Sequence, residues 1–116
     1  MTPFGEYVRK LRKIHNISQK KMAADLGVSN AYLSALEHGK RGKPNFDFVQ
    51  RIIVYFNIIW DDADELIKLA GLSHPRVVID TSTLSPNATR LANHLARHIA
   101  KLDEQDIERI LMLLPK

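Results

Sequence analysis

Over the first fifteen residues the apolar positions Phe4, Tyr7, Val8, Leu11 and Ile14 recur at steps of three and four, the period of one helical face. Thr2 followed by Pro3 supplies an N-cap and a proline at the first helical position, where a missing N–H costs nothing. This first helix is expected to end near His15 and Asn16. Ser18 caps a short second helix in which Met22, Ala23 and Leu26 face inward, and Gly27 stops it by accepting left-handed backbone. Ser29 starts a third helix, with Leu33 and Leu36 buried and Gly39 at its end. The stretch from His38 to Pro44, with Gly39, Gly42, Pro44 and three cations, reads as a loop. Asn45 caps a fourth helix whose apolar residues are nearly continuous (Phe46, Phe48, Val49, Ile52, Ile53, Tyr55, Phe56), as expected of the most buried element of a small bundle. A fifth starts at Asp61 or Asp62, with Asp62, Asp64 and Glu65 on the positive end of its dipole, and closes at Gly71 after Leu66, Leu69 and Ala70.

From Ser73 to Ser85 the pattern changes. Pro75 breaks it, and the β-branched Val77, Val78 and Ile79 suit either a short strand over residues 77–80 or an extended linker. Ser85 and Pro86 repeat the cap-plus-proline start, and Ala88, Leu91, Ala92, Leu95, Ile99 and Leu102 form one apolar stripe. Asp103 caps a last helix with Ile107, Ile110, Leu111 and Leu114, stopped by Pro115. The expected architecture is all-α: a five-helix domain over residues 1–71, a linker over 72–85, and a C-terminal helical pair over 86–116. A two-helix appendage has little core of its own. Leu91, Leu95, Ile99, Leu102, Ile107, Ile110, Leu111 and Leu114 are therefore expected to form a dimerisation surface, the alternative being packing on the same subunit.

Composition narrows the function classes. With 116 residues, 45% apolar and 26% charged, the chain suits one domain with an appendage. The absence of cysteine excludes disulfide frameworks, thiol catalysis and cysteine-based zinc sites, and fits a cytoplasmic protein. Apolar runs such as Ile52 to Phe56 are too short to cross a bilayer. Met1 to Lys13 carry Arg9, Lys10, Arg12 and Lys13 without an apolar core, so no secretory signal is expected. The formal charge of +4 is unevenly spread. Residues 1–60 hold ten cations against four acids, +6, whereas residues 61–116 hold seven against nine, −2. A charged stretch is often only a solvated face. The asymmetry nevertheless directs any polyanionic partner to the N-terminal half.

The segment from Gln19 to His38 carries the chemistry. Ala23 is small where two helices cross, Gly27 sits where positive φ is needed, and Met22, Leu26, Val28, Leu33 and Leu36 fill packed positions. Asn30, Ala31, Tyr32, Ser34 and Ala35 are then left exposed on the second of the two short helices, a surface of small and hydrogen-bonding side chains that suits the edges of bases in a major groove. The stretches ISQKKMAADLGVS and NAYLSALEHGKRGKP, with DADELIKLAGL after them, resemble the Xre/Cro family of lambda-repressor-like helix-turn-helix domains over residues 4 to 71.

That resemblance implies a role for particular residues. Gln19 is implied to touch phosphate and brace the reading helix, and Ser29 to contact phosphate. Asn30, Ala31 and Ala35 occupy base-reading positions: Asn30 suits a paired contact to adenine, and either alanine suits a thymine methyl. Tyr32 and Ser34 point toward the flanking backbone, and Lys40, Arg41 and Lys43 reach further phosphates. Arg12 and Glu37 match a structural ion pair between the first and third helices. The partner so implied is double-stranded DNA, bound by a homodimer that regulates transcription, as a repressor, at two half-sites. The competing reading is an antitoxin-like or coactivator-like module that holds a protein partner with the same fold.

Other chemistry finds less support. His94 and His98 have metal-ligand spacing, but they share a face with Arg90, Arg97 and Lys101 and no third ligand lies near in sequence, so no metal is implied. No glycine-rich phosphate loop or nucleophilic constellation is present, and neither enzymatic activity nor a cofactor is expected. The basic loop lacks the amphipathic insertion helix that a membrane surface would require.

Overall fold

Caps decide where the helices begin in the computed structural model, which describes all 116 residues and contains α-helices and no strand. Helix α1 (Pro3–His15) starts at Thr2, whose hydroxyl oxygen accepts the Gly5 amide at 3.1 Å, and stops at Asn16 in left-handed backbone. Helix α2 (Gln19–Leu26) is capped by Ser18 and closed by Gly27 at φ 72°. Helix α3 (Asn30–Glu37) is capped by Ser29, and α4 (Phe46–Phe56) by Asn45. Helix α5 (Trp60–Gly71) begins just before the acids expected to open it. No side chain caps it, and Trp60 itself takes φ 53°.

The chain forms two units, Met1–Val77 and Val78–Lys116. The first encloses one core, built from Phe4 and Val8 of α1, Met22 and Leu26 of α2, Leu33 and Leu36 of α3, Val49 and Ile52 of α4, and Leu66 of α5. Two residues on the expected apolar faces of this unit are exposed. Ile14, in the last turn of α1, is 77% exposed, and Phe46, the first residue of α4, is 65% exposed. Both sit at helix ends, which run past the packed layer. Ser73 is buried just beyond α5; its hydroxyl accepts the Phe4 amide at 2.9 Å and donates to the Leu69 carbonyl, joining the start of α1 to the end of α5.

The strand considered for residues 77–80 does not form. β-Branched side chains favour extended backbone, but a strand exists only through a ladder. No backbone N–H from Val77 to Thr81 finds an acceptor within the chain.

In the second unit α6 (Pro86–His98) starts at Ser85 and passes into a 3-10 turn over Ile99–Lys101, so the α-helix ends before the apolar stripe does. Helix α7 (Glu104–Met112) starts at Asp103, whose carboxylate accepts the Asp106 amide at 2.8 Å. No residue of this unit is buried. Leu91, Ile99, Leu111 and Leu114 are exposed, and Leu95, Leu102, Ile107 and Ile110 are half-buried. No helix of the chain is long and apolar enough to cross a membrane.

Candidate nucleic-acid interface

Two eight-residue helices, α2 and α3, meet across a turn of three residues. Gly27 takes the left-handed conformation, the Val28 amide returns to the Ala23 carbonyl at 2.9 Å, and the Ser29 hydroxyl oxygen accepts the Tyr32 amide at 3.0 Å. Ala23, 1% exposed, leaves room for the crossing. Asp25, the next-to-last residue of α2, accepts a hydrogen bond from the Tyr55 hydroxyl at 2.6 Å and pairs with Lys21 at 3.2 Å. These contacts hold its carboxyl below the usual range. Desolvation and the same carboxylate push the Tyr55 phenol up to about 12.

The far end of α3 is held by a fully buried carboxylate. Glu37 receives both terminal nitrogens of Arg12, the longer contact being 2.9 Å, and the Gln19 side-chain amide at 3.2 Å. Its backbone carbonyl accepts both the amide of Thr2, at 3.0 Å, and the Thr2 hydroxyl, at 3.1 Å. Helices α1, α2 and α3 thus converge on one residue. Gln19 is half-buried in this cluster, where its amide acts as a brace.

Along α3, Ser29, Asn30 and Ala31 are exposed, whereas Tyr32, Ser34 and Ala35 are half-buried and not freely exposed as the sequence pattern suggested. For Tyr32 the cause is α4 and the loop that joins α3 to it. The Tyr32 ring meets Phe48 edge-on with centroids 6.0 Å apart, and the Arg41 guanidinium lies 5.5 Å above it. Lys40, Arg41 and Lys43 are exposed and form no ion pair. Ser29, Tyr32 and Arg41 come together at one open cleft. Lys43 lines a separate apolar depression with Phe46 and Ile67.

Three residues were missed from the sequence. Thr2 was read only as a cap, although it also clips α1 to α3. Gly5 lies in the first turn of α1 against Glu37, and its one signal was a glycine inside a helix that no turn requires. Arg51 of α4 donates to the Leu26 carbonyl at the end of α2, and nothing local in the sequence marks it.

Two short helices across a glycine turn, held on a helical core with the start of the second helix exposed, define a helix-turn-helix protein. The family described as helix-turn-helix domain matches residues 5–72, and the chain belongs to that family. It is 27% identical to the uncharacterized HTH-type transcriptional regulator RghRB of Bacillus subtilis, over 95% of this chain and 87% of that one. It is 34% identical to an uncharacterized HTH-type transcriptional regulator of Mycobacterium tuberculosis, over 61% of this chain and 48% of the relative. It is 36% identical to the HTH-type transcriptional activator BcrR of Enterococcus faecalis, over 58% of this chain and 34% of the relative. No solved structure matches the chain significantly.

Proposed function

We propose that the protein is a cytoplasmic, sequence-specific DNA-binding transcriptional regulator of the Xre/Cro type, without catalytic activity, acting as a homodimeric repressor on two half-sites. The observation that carries this reading is the exposed start of α3, a helix held at its far end by the buried Glu37 cluster and followed by cations with no acidic partner in the chain. The leading residues Asn30 and Ala31 read base edges, with Ala35 further along the same helix. Gln19, Ser29, Tyr32, Ser34, Lys40, Arg41 and Lys43 set register on the backbone. The names of the relatives support a role in transcription, and since one of them is called an activator, a reporter assay decides the sign of regulation.

Selection of bound fragments from genomic DNA tests the reading. A preferred sequence should emerge, and Asn30→Ala should lose about 1 to 3 kcal/mol on it while binding random DNA as before. Recovery of no preferred site, together with co-purification of a stoichiometric protein partner, would favour the partner-holding module.

We assign the homodimer contact to the second unit because part of its apolar stripe is left uncovered, Leu91 being 62% exposed and Ile99 58%. Truncation after Val77 retains Ser73 and every residue of the first core. The full chain should sediment as a dimer and the truncated one as a monomer. A dimeric truncation product would move the interface into the first unit.

A further inference from the structure

An open cleft of about 460 Å³ lies between α3 and α4, lined by Ser29, Tyr32, Arg41, Asn45, Phe48 and Arg51 among others. Four of these side chains form a column. The Arg41 guanidinium lies over Tyr32, Tyr32 meets Phe48 edge-on, and the Arg51 guanidinium lies 5.7 Å over Phe48. Each end of the column is a guanidinium on the same cleft, and neither forms an ion pair within the chain. The neutral lining also carries spare donors. The Ser29 oxygen accepts the Tyr32 amide, which leaves its hydroxyl hydrogen free, and Asn45 accepts the Phe48 amide through Oδ1, which leaves its NH₂ free. One acid, Asp47, lies at the cleft and is likewise unpaired.

We infer that this cleft seats one phosphate of the DNA backbone between Arg41 and Arg51, and that Arg51 ties that phosphate to the helix-turn-helix. Guanidinium groups held by aromatic faces present their N–H donors in a fixed plane, which matches phosphate oxygens. The cleft abuts Ser29, the cap of the reading helix, so an anion bound there lies beside the duplex. Arg51 also donates to the carbonyl of Leu26, immediately before the turn glycine. A phosphate drawn to Arg51 is thereby registered against both helices of the motif. The inference rests on the DNA-binding reading above and adds to it a residue and a seat.

The test measures binding of the full chain to a selected duplex and to a random one across a salt series. Arg51→Gln and Arg41→Gln should each weaken both complexes by about tenfold and flatten the log–log salt slope by about 0.9, the signature of one lost phosphate contact. Asp47→Asn should tighten both complexes, because it removes the one acid from the seat. Phosphate-ethylation interference should lose the same phosphate in both arginine variants. An Arg51→Gln protein that melts lower but keeps the wild-type slope overturns the inference and leaves Arg51 as a cap on α2 alone. Loss of different phosphates in the two arginine variants overturns the shared seat. Millimolar inorganic phosphate competing at constant ionic strength, with no change of slope in either variant, overturns it in favour of a free-anion site. Wild-type protein whose DNA binding is independent of salt overturns both this inference and the DNA-binding reading, whereas a normal wild-type slope with unaffected variants overturns only this one.

Discussion

Gly5→Ala will destabilise the first unit by about 3 kcal/mol, although alanine is the better helix former. An added Cβ would overlap the carbonyl oxygen of Glu37 and stand 2.7 Å from its carbonyl carbon and 2.8 Å from its Cα. All three are backbone atoms, so no flexible side chain can turn aside. The gain in helix propensity, about 1 kcal/mol, is smaller than the cost of separating α1 from α3. Separation would also stretch the two hydrogen bonds from Thr2 to the same carbonyl. Urea unfolding should show a lower midpoint with an unchanged m-value, and a wild-type midpoint would mean that the two helices yield at this crossing without cost.

Arg12→Met will be comparably damaging for a different reason. It leaves the Glu37 carboxylate, fully buried, with the Gln19 amide as its remaining side-chain donor, and the uncompensated charge costs about 3 to 5 kcal/mol. The double variant Arg12→Met, Glu37→Leu should recover most of that loss, because an apolar pair of similar volume avoids the burial of charge altogether. If the double variant is as unstable as the single one, the pair acts through geometry and not through charge. DNA binding by the double variant is expected to fall even where stability returns, since Gln19 and the end of α3 would lose their common anchor.

These two sites also mark what could be read from the chain alone. The helix starts at Thr2, Ser18, Ser29, Asn45, Ser85 and Asp103 were legible because a cap and its amide lie within three residues of each other. The turn glycine was legible for the same reason. Val77 to Ile79 left a strand and an extended linker both open because side-chain preference is local whereas a strand needs a partner elsewhere in the chain. Periodicity within α3 puts Tyr32 on a free face because it carries no information about Phe48 of α4 and the Arg41 guanidinium, which close over its ring. Gly5 and Arg51 depend on atoms 32 and 25 positions away, on Glu37 and Leu26, and only the assembled crossing shows them.

Trp60 has a practical consequence. It is the single tryptophan of the chain, and it stands 82% exposed at the start of α5, outside the core. Its emission in the native state should already resemble that of indole in water, so intrinsic fluorescence will follow unfolding poorly and circular dichroism is the better observable. The same indole becomes a quiet background probe: a blue shift on mixing with another molecule would report contact at α5 and not a change in the fold.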